Sequence, residues 1–171
     1  MIEIRAELPE DAAAIDAVHE AAFGRTDEAR LVATIRQGDD FNPELSRVAV
    51  RADEVVGHIL FGPVHIDASD GAVPALALAP MGVRPDVQRQ GIGTQLVRDG
   101  LDVCRRRGDG IVIVVGHARY YPRFGFEPAG QRGLEAPFPV PDDAFMVIAL
   151  TADALDGVRG MVRYPPVFDG V

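Results

Sequence analysis

The stretch Met81-Gly-Val-Arg-Pro-Asp-Val-Gln-Arg-Gln-Gly-Ile-Gly-Thr94 decides how the chain is read. An apolar run over residues 73–81 enters it as a strand. Ile92, Leu96, Val97, Gly100, Leu101 and Cys104 leave it at helical spacing, with Arg98, Asp99, Asp102, Arg105 and Arg106 on the opposite face as far as about Arg107. A helix that starts straight after a glycine turn offers several unpaired N–H groups to an anion. Glycine lets the backbone come close to that anion, and Arg89 adds positive charge. Residues 88–94 are therefore expected to cradle a phosphorylated cofactor.

Two common phosphate loops are absent. There is no G-x-x-x-x-G-K followed by Ser or Thr, and the third glycine of a dinucleotide-binding G-x-G-x-x-G would fall on Leu96. What remains is Gln or Arg, two residues, Gly, one residue, then Gly or Ala, read as Gln88 to Gly93. Alone, the same pattern also describes a tight turn that merely opens a helix, so the rest of the chain has to arbitrate.

With 171 residues and 18.4 kDa, a single domain over residues 1–171 with one hydrophobic core is expected. The net charge of -9 disfavours nucleic acid and anionic membranes as partners. The one cysteine, Cys104, falls on the apolar face of its helix and reads as a small hydrophobe rather than a nucleophile. The start, Met-Ile-Glu-Ile-Arg, lacks the regions of a signal peptide, and no apolar run reaches membrane-spanning length, so a cytoplasmic protein is expected. The histidines at 19, 58, 65 and 117 are dispersed and no C-x-x-C is present, so no metal is expected.

In chain order, residues 2–5 alternate as a short strand. A helix over 11–23 buries Ile15, Val18, Ala22 and Phe23, and one over 27–37 buries Leu31, Val32 and Ile35. Phe41 sits in a loop, either as a plug in the core or at the lip of a mouth. Strands follow at 46–51 and 55–62 about a turn at Asp53-Glu54, with a wider turn over 63–72 before the strand at 73–81. After the central helix, the apolar run Ile111–Val115 reads as a strand covered on both faces and parallel to 73–81 through a right-handed crossover. Residues 118–124 read as a short helix interrupted by Pro122, Phe126 starts an extended piece, and 144–150 and 159–163 are strands. The order β-α-α-β-β-β-α-β-α-β-β implies an α/β fold with a mixed sheet and helices on both faces.

At this point the sequence resembles the GCN5-related N-acetyltransferase (GNAT) family. Gln88-Arg-Gln-Gly-Ile-Gly93 is similar to its acetyl-coenzyme A pyrophosphate loop, and Tyr121-Pro-Arg-Phe-Gly-Phe126 to its Y-x-x-x-G-F segment after the parallel strand. Gly116-His-Ala-Arg-Tyr-Tyr-Pro-Arg-Phe-Gly-Phe126 and Val162-Arg-Tyr-Pro-Pro-Val-Phe168 resemble the YhbS-like branch of predicted N-acetyltransferases. The resemblance implies acetyl-coenzyme A (acetyl-CoA) as co-substrate. It implies that the backbone at Met81, Gly82 and Val83 pairs with the pantetheine arm, in a wedge between splayed strands. Backbone N–H groups near Arg89, Gln90, Gly91, Gly93 and Thr94, with Gln88 and Ile92 in the same motif, would hold the pyrophosphate. Arg84 would meet the adenosine phosphate or a neighbouring acid. Tyr121 takes the position of the general acid that protonates the departing thiolate. One departure stands out: the family's asparagine about seven residues before that tyrosine is missing, and the nearest polar residue is His117.

Acetyl transfer to an amine needs a neutral nucleophile, a polarised carbonyl and a proton for sulfur. The residues leave the base open among His58, Glu28 and His117. His58 is a strand histidine that reads equally as a hydrogen-bonded sheet residue. Glu28 lies in a helix first turn, where an acid also serves the dipole, and His117 ends the parallel strand. The expected activity is an N-acetyltransferase working by direct attack of a primary amine, on a small molecule or a peptide. The alternative is a non-catalytic acyl-CoA-binding or regulatory protein; a nicotinamide-dependent oxidoreductase is a third reading. Acceptor choice is expected in residues 24–45 and 117–143. The tail from Tyr164 to Pro166 is a candidate to pack across a second copy in a homodimer.

Overall fold

The computed structural model describes residues 1–169. The chain runs β1 (Glu3–Ala6), α1 (Ala12–Phe23), α2 (Asp27–Gln37), β2 (Ser46–Arg51), β3 (Glu54–Ala68), β4 (Gly71–Val83), α3 (Ile92–Arg107), β5 (Ile111–Val115), β6 (Glu127–Pro128), β7 (Leu134–Glu135), β8 (Phe145–Ala149) and β9 (Gly160–Arg163). Two compact units form. The first holds Met1–Gly62, Ala79–Val103 and the residues from Pro166, and the second holds Pro63–Leu78 and Cys104–Pro165.

In the first unit β1, β2 and β3 are antiparallel, from Glu3↔Val50 to Ala6↔Arg47 and from Ser46↔Leu60 to Arg51↔Glu54. Ala52 and Asp53 close the hairpin with φ of 51° and 64°, the left-handed pair that a two-residue turn demands. That is one residue earlier than the sequence suggests. Both faces of β3 are covered. A methyl group at Gly57 would touch Ile92 and Leu96 of α3, whereas one at Gly62 would touch Ile35 of α2 and Phe168. On the α1–α2 side the core is Ile15, Leu31, Val32, Ile35, Val48 and Leu60, with Phe41, Val167 and Phe168 packed against it. Phe41 is thus part of the core wall. The tail residues Val167 and Phe168 pack against this core.

The helices follow their local chemistry. Gly24, at φ 68°, ends α1 and donates to the Glu20 carbonyl at 2.9 Å. Asp27 and Glu28 open α2, and Arg36 lies in its last turn, each on the side its helix dipole favours. Phe23, expected inside, is 41% exposed because the αL turn at Gly24 releases the end of the helix from the core.

In the second unit β5 pairs β4 in parallel at Leu76↔Val112 and Ala77↔Ile113, as the apolar run implied. β5 pairs β8 along its whole length, from Ile111↔Ala149 to Val115↔Phe145. Among the described residues the β4–β5 pairs end at Ala77↔Ile113, whereas β5 and β8 stay paired to Val115↔Phe145. β9 lies antiparallel to β3 at His65–Asp67 and parallel to β7. Two expectations are corrected here. Gly62-Pro63 does not end its strand: β3 continues to Ala68, and the turn is only Ser69 and Asp70. A proline is tolerated in a strand wherever no ladder bond is asked of its nitrogen. The short helix over 118–124 is a single 3-10 turn, Tyr121–Phe124, opened by Pro122 and closed by Gly125 at φ 104°.

Candidate functional site

β4 ends at Val83, and the chain reaches α3 through a 3-10 turn at Pro85–Val87 and an exposed loop over residues 88–91. Arg89 and Gly91 are both left-handed, at φ 63° and 84°. Those signs turn the backbone sharply into the helix. The Gly91 carbonyl accepts the first helical bond, from Gln95 N–H at 3.0 Å. The amides of Gly91, Ile92 and Gly93 therefore lie ahead of the helical ladder, with no upstream carbonyl to take them. A methyl group at Gly91 would meet nothing within 4 Å, so the loop is open on that side. Successive amides ahead of a 16-residue helix, beside an exposed arginine, suit a diphosphate.

The flanking side chains brace the loop. Gln88 Nε2 donates to the Val83 carbonyl at 2.9 Å, fastening the loop to the strand end. The Arg84 backbone N–H donates to Val56 O at 2.8 Å. Its guanidinium is held by Asp86 at 2.8 and 2.9 Å and by Glu54 at 3.4 Å, so the neighbouring acid is its partner in this state. Arg51 donates to Gln90 Oε1 at 3.0 Å. Met81 and Val83 are half-buried and Gly82 is buried, whereas Gly93 and Thr94 remain partly accessible at the helix head.

His58 is hydrogen-bonded within the sheet. It is closed to solvent, with Nε2 at 2.7 Å from Ser46 Oγ and Nδ1 at 2.8 Å from Nε2 of His19. Ser46 Oγ donates to Glu7 Oε1, and Glu7 takes a two-pronged bond from Arg36 at 2.7 and 3.2 Å. Burial pushes the His19 ring down to about 4, offset in part by Glu28 and reinforced by Arg36. His58 is pushed well below its ordinary value by burial, then by His19 and Arg36. Both rings are neutral at neutral pH. Glu28 is buried and bound by Arg25 Nε at 3.0 Å and by Arg25 Nη2, so its carboxylate is occupied.

Sequence reasoning missed His19. The signal was available, since residue 19 lies four after Ile15 on the apolar stripe of α1.

In the second unit, Tyr121 lies in an aromatic cluster and is 8% exposed. Its ring stands edge-on to Tyr120 and to Phe126, with centroids 5.1 and 5.7 Å apart. Gly116 makes room for it, because a methyl group there would come within 3.0 Å of Tyr121 Cδ2. Burial, and then Tyr120, pushes its phenol up to about 12, so it stays a hydrogen-bond donor over the neutral range. His117 is exposed, and its carbonyl rather than its ring holds the turn, accepting from Tyr120 and Tyr121 N–H at 3.0 and 3.4 Å. Cys104 is buried, as expected. Among the described residues no cluster of His, Cys, Asp and Glu has the makings of a metal site.

The family profile described as "Acetyltransferase (GNAT) domain" matches residues 3–129. The "Uncharacterized N-acetyltransferase YjhQ" of Escherichia coli K12 is 40% identical over 157 residues, covering 90% of this chain and 86% of YjhQ. YhbS from the same organism is 37% identical over 169 residues, covering 97% and 98%. The crystal structure of E. coli YhbS in complex with CoA superposes with a TM-score of 0.90 over 98% of this chain and 91% of that one. A GNAT acetyltransferase from Brucella melitensis, solved with acetyl-CoA, is 33% identical and superposes at 0.81 over 99% of both chains. A pyrophosphate-type loop, a Y-x-x-x-G-F segment and relatives that match nearly end to end lead to one statement: the chain belongs to the GCN5-related N-acetyltransferase family.

Proposed function

We propose that the chain is an acetyl-CoA-dependent N-acetyltransferase that moves the acetyl group to a primary amine by direct attack. The observation that carries it is the turn heading α3, left-handed at Arg89 and Gly91, in a chain whose relatives were solved with CoA and acetyl-CoA. When bound, acetyl-CoA supplies an acyl thioester. The amides from Arg89 to Thr94 hold its diphosphate, with Gln88 bracing the loop. The backbone of Met81, Gly82 and Val83 aligns the pantetheine arm. Arg89 adds charge at the loop, while Arg84 stays with its acids. The attacking nitrogen forms the C–N bond as the C–S bond breaks, and its surplus proton leaves to water.

Tyr121 serves the sulfur. A phenol held at about 12 is a weaker acid than a thiol, so it acts first by hydrogen bonding to the growing thiolate charge. Of the three residues considered as base, Glu28 and His58 have their polar atoms engaged inside the fold, and His117 is the one in water. The acceptor is an amine on a small molecule or a peptide, chosen by residues 24–45 and 117–143. A lone buried thiol and a thioester co-substrate suit the cytoplasm as its compartment.

The test is heat stabilisation by CoA and acetyl-CoA, followed by thiol release against a panel of amines. Ligand at a hundred times its Kd should add about 2.7 kcal/mol of stability. Stabilisation by both ligands without thiol release on any amine would favour the non-catalytic alternative, and no stabilisation would remove both readings.

A further inference from the structure

The core of the first unit contains a continuous line of polar groups that the reaction as proposed does not use. It starts near the surface at Arg36, passes through Glu7, Ser46 and His58, and ends at His19. Glu7, Ser46, His58 and His19 are all buried, and both histidines and the serine are fully so. Burying this many polar groups is unfavourable unless each is satisfied, and apolar residues of the same volume would usually do the packing at lower cost. Such a line needs a reason to be there.

Its direction is fixed by its first member. Glu7, paired with Arg36, is an anion that can only accept, so Ser46 Oγ–H donates to it. Ser46 must then accept from His58 Nε2–H, which leaves His58 Nδ1 as a lone pair. His58 Nδ1 in turn accepts from His19 Nε2–H. A neutral imidazole carries one N–H, so His19 Nδ1 ends the line as a bare acceptor. That atom is buried and is the one imidazole nitrogen in the line with no hydrogen-bond partner.

The bare nitrogen is pressed against β4. A methyl group at residue 82 would lie 2.8 Å from His19 Nδ1 and 3.5 Å from the Ala22 methyl. Only glycine fits there. A bare acceptor at that place also repels carbonyl oxygens, so it opposes any rotation that would turn the peptide carbonyls flanking Gly82 toward α1. The two residues that follow are held separately, Val83 O by Gln88 and Arg84 N–H by Val56 O.

We propose that His19 is a positioning residue for acyl transfer: it sets the backbone at Gly82, and the line His58–Ser46–Glu7–Arg36 sets His19. The inference rests on the reading that the strand end at residues 81–83 receives the pantetheine arm. Within that reading, Glu7 and the half-buried Arg36 of α2 act, through His58 and His19, on a reaction that they do not touch. Misplacing a reacting group by about 1 Å costs on the order of a hundredfold in rate, so holding this backbone is a catalytic requirement.

The test uses CoA binding by calorimetry, with native fold checked by circular dichroism, because it needs no acceptor. Gly82→Ala should weaken CoA binding at least tenfold, and adding His19→Ala in the same chain should recover part of that loss by relieving the clash but leave binding at least threefold below wild type, because the positioning ring is then gone. Ser46→Ala, distant from Gly82 along the line, should weaken CoA binding at least threefold in a folded protein. A line that only stabilises the fold would lower the melting temperature in these variants and leave the CoA affinity of the folded chain unchanged, and that result overturns the proposal. If Gly82→Ala does not fold, Ser46→Ala decides alone by the same criterion. Failure of the wild-type chain to bind CoA would instead sink the functional reading beneath it.

Discussion

The ring of His19 stands edge-on to that of His58, at 86° between planes, with Nε2 2.8 Å from Nδ1 and neither residue open to water. Two neutral imidazoles in a core make stability depend on pH. The unfolded chain takes up a proton on each near 6.5, whereas folded His19 does so only near 4 and folded His58 is shifted the same way. Between those values the unfolded state binds more protons, so stability is complete above about pH 6.5 and declines as pH falls. The His19 shift alone corresponds to on the order of 3 kcal/mol lost by about pH 4. Urea melts at pH 7, 5.5 and 4.5 should show the loss starting well above the carboxylate range. A flat profile down to pH 5 would contradict the buried neutral pair.

Gly100, in the middle of α3, faces the ring of Phe61, and a methyl group there would overlap ring atoms Cε1 and Cζ. Glycine inside a helix ordinarily costs roughly 0.5–1 kcal/mol relative to alanine. Here the sign should reverse, with Gly100→Ala destabilising by about 1–3 kcal/mol through overpacking. Adding Phe61→Leu should recover part of the loss. Chemical denaturation of the single and double variants measures both.

Tyr121→Phe should lower kcat by about a hundredfold, the scale of one positioned proton donor. The ring keeps its packing against Tyr120 and Phe126, so the melting temperature should barely change. Steady-state thiol release with an acceptor found in the amine panel checks the first part, and a thermal melt the second. Unchanged kcat would return the tyrosine to a purely structural role.

Arg89→Gly should separate binding from folding. At φ 63° a residue with a side chain is strained, and glycine relieves roughly 1 kcal/mol of that. The same change removes the guanidinium from the loop. Stability should hold or rise, while CoA affinity falls about tenfold at low salt and by less as salt is added. Calorimetry at two salt concentrations reads the outcome. Unchanged affinity would detach Arg89 from the phosphates.

The parts of the fold that were legible are those whose causes are local. The ends of α2 were readable because acids open it and Gly38 follows it, and β5 because five apolar residues follow one another between polar turns. The turn that heads α3 was readable for the same reason, since strand, turn and helix head lie within one contiguous stretch. The extension of β3 past Pro63 was hidden, because β9, which pairs its second half, lies almost a hundred residues away, as the 96-residue span between Asp67 and Arg163 records. His19 was hidden too. Nothing near it in the chain announces a partner, and both its link to His58 and the link from Ser46 to Glu7 span 39 residues. A polar residue on an apolar stripe looks like an irregularity until its distant counterparts are known.

Cys104 is the only sulfhydryl in the chain, and its burial raises it to about 12, so almost none of it is thiolate near neutrality. An aromatic-disulfide colour reagent reacts with thiolates that it can reach, and the native protein presents none. Liberated coenzyme A can thus be followed continuously against a silent blank. Any colour that grows without substrate times the rare openings of the protein interior.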